Sequence, residues 1–306
     1  MIEKLKKINF PTSESFDNKK IAVFLTAFNR TAMLEKVVES VNLSDELENV
    51  PIFIYLDGGT NSKQDECLEI VKKIKFKNKY LIKRGVNFGC DRNTLEMFND
   101  MFVHLNFDYA FHVEDDFVFC KNYFKYCFDE FSRIKRNIDP NIGVFQGFSI
   151  CFKTPEEKKQ HLSAVVPTEK DHLWGCLYSK EAYLALKDRI SDYEKIVDTF
   201  PTNGFSKEYM LQIARESIAE CYNTIFDNSQ QPMSDYIKNT FYDKFNQHFT
   251  AGWDGAFVLG LASTKYTRYM PEVNRMINIG DVGHHYNRQA FQHHKLDQIK
   301  LDEVWN

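Results

Sequence analysis

Short apolar runs alternate with stretches of helical periodicity through the first half of this chain, and each run stops at a polar cluster. Ile21-Ala22-Val23-Phe24-Leu25-Thr26-Ala27 is apolar apart from Thr26 and rich in β-branched residues, the pattern of a strand buried on both faces. Phe28-Asn29-Arg30-Thr31 breaks it, and Met33, Leu34, Val37, Val38 and Val41 then recur at helical spacing. The unit repeats: Pro51 to Leu56 is the strand, Asp57-Gly58-Gly59 the break, and Cys67, Leu68, Val71 and Ile74 the inner stripe of a helix. Tyr80-Leu81-Ile82 reads as a short third strand, Asn93 to Leu105 as a helix, and Tyr109 to Val113 as a fourth strand ending on Glu114-Asp115-Asp116. Such βα alternation predicts an α/β fold, a mixed but mostly parallel sheet flanked by helices. In open sheets of this kind ligands gather at the carboxyl ends of the strands, where Arg30, Asp57 and the acidic triplet all fall.

The second half is less regular. Tyr123 to Ile134 reads as a helix, Ile142 to Phe152 as a strand, and residues 153 to 170 as a polar, mobile loop. Helical stretches, Lys207 to Ile225 among them, fill an insertion at about 179 to 250, and Phe291 to Asn306 reads as a surface tail packed on the body. At 306 residues the chain is long enough for one large domain, here a polar lead-in (1 to 18), a first half (19 to 150) and a second half (151 to 306). The net charge of −4, with no long run of one sign, argues against a nucleic-acid stripe or a polybasic membrane patch. Seven cysteines, an odd number with no Cys-x-x-Cys pair, argue against a disulfide framework or a metal knuckle. With no signal-type start and no bilayer-length apolar stretch, the chain is expected in the cytoplasm, peripheral to a membrane at most.

Carboxylates crowded at the end of a buried strand repel one another and resist burial, so Glu114-Asp115-Asp116 makes sense around a divalent cation or a metal-bound diphosphate. A solvated turn or a helix cap explains the same spacing, and the triplet alone does not choose. Asp57 followed by two glycines suits close approach of a ligand, or equally an ordinary strand-to-helix turn. Arg30 offers a fork of donors for a base carbonyl or a phosphate, or is simply solvated. Asp254, beside Trp253 in an apolar segment, is a candidate general base with a raised pKa, or the cap of a helix from Ala256 to Leu261. Of His284 and His285 on a glycine-flanked loop, at most one is expected to meet a metal or phosphate.

In their order along the chain, Arg30, Asp57-Gly58-Gly59, Glu114-Asp115-Asp116, Trp253-Asp254 and the block Pro271-Glu272-Val273-Asn274-Arg275 with Gly280 resemble the GT-A glycosyltransferases related to N-acetylglucosaminyltransferase I. Phe291, His293, His294 and Leu301 extend the likeness, which spans roughly residues 20 to 302. The resemblance implies a GT-A (Rossmann-like) fold and an inverting transfer, of the hexosyl or N-acetylhexosaminyl type, from a UDP-sugar to a hydroxyl of a carbohydrate or glycoconjugate. It implies Mn²⁺ or Mg²⁺ on Asp116, with Glu114 and Asp115 orienting donor hydroxyls or metal-bound water. It also implies uracil contacts from Arg30 and Asp57, and Asp254 as the base for the acceptor hydroxyl. The chain departs from the family where His284-His285 replaces a phosphate-contacting serine, leaving His285 as the expected phosphate contact, and where Cys90-Asp91-Arg92 lacks an expected histidine. Two other classes fit the strand-end acids: a catalytically silent sugar- or nucleotide-binding module, and a metal-dependent phosphohydrolase.

Overall fold

A computed structural model describes residues 2–60, 63–149, 153–170, 173–199, 207–239, 252–281, 288–293, 295–299 and 301. The strands are β1 (Ile21–Ala27), β2 (Ile52–Leu56), β3 (Lys79–Lys83), β4 (Tyr109–Glu114), β5 (Phe117–Phe119), β6 (Ile142–Gln146), β7 (Val165–Pro167), β8 (Cys176–Ser179), β9 (Thr267–Pro271) and β10 (Met276–Asn278). The helices are α1 (Ile2–Leu5), α2 (Thr31–Val41), α3 (Gln64–Lys72), α4 (Gly89–Asn99), α5 (Tyr123–Asn137), α6 (Pro155–Gln160), α7 (Lys180–Arg189), α8 (Ser191–Thr199), α9 (Lys207–Asp227), α10 (Asp235–Ile237), α11 (Trp253–Ala262) and α12 (Arg288–His293).

Eight strands form one sheet in the order β3-β2-β1-β4-β8-β6-β9-β7, and β5 with β10 forms a separate two-stranded ribbon. The first four strands run parallel, as does β6 with β9, whereas β8 is antiparallel to both neighbours and β7 to β9. The expected α/β architecture with a mostly parallel sheet is therefore present. Alternate residues of the buried strands feed two cores: Ile21, Val23, Leu25, Ile52, Ile54, Phe111 and Val113 point to one, and Ala22, Phe24, Phe53, Tyr55 and Ala110 to the other. This is the period of two expected of a sheet covered on both faces. The amphipathic stripes of α2, α3 and α5 seal the first face, and α4, α7 and α11 the second. Helix α11 buries eight of its ten residues, so it is a core helix with no polar face. Phe53 is fully enclosed and stacks between Phe24 and Tyr80 at centroid distances of 5.6 and 5.1 Å; truncating such a ring to alanine costs about 3–5 kcal/mol.

Four expectations change. The lead-in is pinned down, because Leu5, Phe10 and Phe16 enter the cores and Ser13 bridges Lys19. The polar loop at 153 to 170 contains α6, started by a capping box between Thr154 and Glu157, and the edge strand β7. The helix expected from Asn93 begins at Gly89 and gives way to a π-turn over Asp100–His104. In the tail, Phe291, Leu296 and Ile299 are buried in the core rather than laid on the surface. Among the described residues no helix is long and apolar enough to cross a membrane, and the described cysteines are free thiols.

Candidate functional site

Parallel pairing of β1 with β4 sets Thr26 opposite Glu114. The residues that follow each strand therefore meet at one edge: Arg30 at the start of α2, and Asp115 and Asp116 in the two-residue turn between β4 and β5. The guanidinium spans both acids. Its Nη1 donates to Asp116 Oδ2 at 2.6 Å, and its Nη2 donates to Asp115 Oδ1. Asp115 Oδ2 also accepts the backbone N–H of Phe28 at 3.4 Å. Burial works against the charge of Arg30, but Asp116 and Asp115 outweigh it and leave its pKa raised. Asp116 is 5% exposed, and its second oxygen, Oδ1, is enclosed without a hydrogen-bond partner. Burial pushes the Asp116 carboxyl up to about 6, with Arg30 pulling the other way. Burial, then the charge of Asp116, holds Glu114 well above the ordinary glutamate range.

The ribbon of β5 and β10 brings the Pro271 block to the same place. Asn278 pairs with Phe117, and the backbone N–H of Ile279 donates to the carbonyl of Asp116 at 2.9 Å. Gly280 then passes so close that a Cβ there would stand 2.3 Å from Asp116 Oδ2. A side chain at 280 would collide with that carboxylate and force it to shift. Asp254 lies in the first turn of α11, near enough for its charge to raise the pKa of Glu114. Gly252 holds the N-cap position, the Asp254 carboxylate accepts the first-turn N–H of Gly255 at 2.8 Å, and Asp91, at the start of α4, accepts the N–H of Trp253 at 2.7 Å.

Asp57 sits at the end of β2 as expected, but its carboxylate is engaged by backbone. It accepts the N–H groups of Gly58 at 2.9 Å, Phe88 at 2.8 Å and Gly89 at 3.0 Å, fastening the β2 edge to the start of α4. Burial raises its pKa despite those bonds. Gly59, at φ +114°, takes a left-handed backbone that glycine allows at no steric cost. His285 and its neighbour His284 lie outside the described residues.

Whether these residues suit a divalent cation turns on the mode of binding. Among the described residues no group of three or more His, Cys, Asp or Glu side chains could hold a metal. A hard cation bound by one or two carboxylates and completed by water and substrate phosphates needs no such group. Asp116, with a buried unpartnered oxygen and glycine backbone alongside, fits that mode.

No family model matches the chain, and no curated protein matches it. Among solved structures it is similar to the mannosyltransferase PcManGT from Pyrobaculum calidifontis in complex with GDP-Man and Mn²⁺, at 10% identity, covering 85% of this chain and 79% of that one with a TM-score of 0.43. It is similar to TarS 1-349 of S. aureus at 14% identity, covering 76% and 75%, with a TM-score of 0.43. It is also similar to glucosyl-3-phosphoglycerate synthase from Mycobacterium tuberculosis in complex with Mn²⁺, UDP-glucose and phosphoglyceric acid, at 12% identity, covering 73% and 83%, with a TM-score of 0.37. Likenesses of this size concern the path of the chain and bring no residue role to this protein.

Two residues that sequence reasoning passes over belong to the site's frame. Asp91 ties α4 to α11, a contact across 162 positions that no local pattern announces. His112, inward-facing on β4, lies 3.9 Å from Glu114 Oε1 and packs edge-on to Trp253 at 5.1 Å. Burial lowers its pKa to about 3, so it stays neutral. Its even position in the strand is the available signal, since that parity sends it toward α4 and α11.

Proposed function

We propose that this chain is an inverting, metal-dependent glycosyltransferase of GT-A type. It would move a sugar, N-acetylglucosamine among the candidates, from UDP to a hydroxyl of a glycan or other acceptor. The observation that carries the reading is Asp116: a buried carboxylate at a strand end, one oxygen held by Arg30 and the other without a partner. A divalent cation on that oxygen would offset the charge that develops on the departing diphosphate. Glu114 and Asp115 would orient donor hydroxyls or water at the same mouth, Arg30 would stand at its diphosphate end, and Asp57, fastened to backbone, would frame the uracil end by holding the β2–α4 joint in place. Asp254, whose charge reaches Glu114, would accept the acceptor's proton while the oxygen bonds to the anomeric carbon and the bond to UDP breaks.

A screen of UDP-sugars with Mn²⁺ tests this without knowledge of the acceptor. Release of UDP that depends on Mn²⁺ and disappears in Asp116→Asn is the expected result, and inorganic phosphate as the product would point to a phosphohydrolase instead. With an acceptor in hand, NMR should find inverted anomeric configuration; retention would sink the mechanism.

A further inference from the structure

The same carboxylate that a metal would need is already holding a cation. Arg30 Nη1 donates to Asp116 Oδ2 at 2.6 Å, and Nη2 reaches Asp115. Asp115 is 3% and Asp116 5% exposed, so neither acid can turn to bulk water for its counter-charge. Two carboxylates so placed need compensation, and a planar fork anchored at the start of α2 supplies it to both at once. Only Oδ1 of Asp116 remains without a partner. A dication arriving on that oxygen would share one carboxylate with a guanidinium, and like charges at such separation repel.

Resting on the metal-site reading above, we propose that Arg30 is a resident counter-ion that competes with the divalent cation for the Asp115–Asp116 pair. The protein therefore takes up the metal weakly alone and tightly only with a diphosphate, whose negative charge balances both cations. Arg30 so makes metal and nucleotide binding cooperative: it keeps the acidic corner neutral when the donor is absent and discourages occupation by metal alone. The coupling is reciprocal, as binding linkage requires, so Mn²⁺ strengthens UDP binding by the same factor as UDP strengthens Mn²⁺ binding.

The test is direct Mn²⁺ binding, read by loss of the free-ion electron paramagnetic resonance signal, with and without UDP, in the wild type, Arg30→Gln, Arg30→Lys and Asp116→Asn. The expected result is Mn²⁺ affinity about tenfold higher in Arg30→Gln than in the wild type when UDP is absent, with a smaller gain from UDP. Arg30→Lys, which keeps the charge but not the fork, should fall between, and it serves if Arg30→Gln does not fold. Unchanged or weaker Mn²⁺ binding in both Arg30 variants would overturn the competition. If the wild type then still takes up Mn²⁺ with UDP and Asp116→Asn does not, the metal-site reading survives without it. No Mn²⁺ uptake by any of these proteins, with or without UDP, would overturn both.

Discussion

Two acidic corners at the same edge of one sheet are built on opposite principles. At the end of β2, Asp57 gives its carboxylate to three backbone N–H groups and joins a strand to a helix. At the end of β4, Asp116 meets a side-chain cation on one oxygen and nothing on the other. Backbone donors cannot leave, so the first corner is a joint of the fold. A guanidinium on a flexible stem can leave, so the second is an exchangeable ionic site. A strand-end carboxylate is thus a candidate ligand when its partners are replaceable, not simply because it stands at a strand end.

The largest effect is expected at Asp254, whose carboxylate accepts the backbone N–H of Gly255 at 2.8 Å and whose charge adds to those acting on Glu114. Asp254→Asn should retain UDP binding and lose transfer by about 10²- to 10⁴-fold, the range for a general base. Normal turnover in the variant, measured under saturating donor, would remove Asp254 from the mechanism. At the Asp57 corner the loss should be of stability. Asp57→Ala strands one buried and two half-buried N–H groups and should cost about 3 kcal/mol in urea unfolding, whereas Asp57→Asn, which keeps an acceptor, should cost about 1 kcal/mol. Equal costs for the two variants would mean that the joint does not depend on those bonds.

Gly280→Ala acts on the Asp116 corner through backbone, because the added methyl would stand 2.3 Å from Asp116 Oδ2. UDP affinity with Mn²⁺ present, read by calorimetry, should weaken by about tenfold, with a stability cost of about 1 kcal/mol as the carboxylate shifts. A methyl accepted without effect on affinity would argue that the space beside Asp116 is not part of the ligand path. The smallest effect is expected at Asp100, a buried acid outside both corners that accepts the hydroxyl of Tyr55 at 3.0 Å. Burial raises its pKa from 3.8 to about 6. Between those values the unfolded chain ionises while the folded one holds its proton, so this group's contribution to stability falls as pH rises and levels off above the folded-state value. Asp100→Asn should flatten that part of the pH–stability curve and add about 1 kcal/mol above neutrality; an unchanged slope would place the titration elsewhere.

Much of this architecture is legible in the sequence, and the reasons are local. Strands β1, β2 and β4 are buried on both faces, so their sequences are nearly continuous apolar runs, interrupted by Thr26 in β1 and His112 in β4 and ended by chemistry-bearing residues. The sheet register then converts Thr26 opposite Glu114 into Arg30 opposite Asp115 and Asp116. Strand β8 is not legible, because four residues at Cys176–Ser179 carry no alternation and are placed only by their neighbours β4 and β6. The tail misleads for a similar reason: Phe291, Leu296 and Ile299 share no period, yet each finds the core. Nor can a sequence announce that Asp57 spends its acceptors on Phe88 and Gly89, 31 and 32 positions away.

Everything proposed for this edge of the sheet turns on Asp116 as the place where metal and diphosphate meet. Calorimetric titration of UDP into the wild type and Asp116→Asn, each with and without Mn²⁺, tests it most directly. The prediction is that Mn²⁺ tightens UDP binding to the wild type by about tenfold or more and leaves the variant's weak binding unchanged. The same Mn²⁺-dependent gain in both proteins would contradict it.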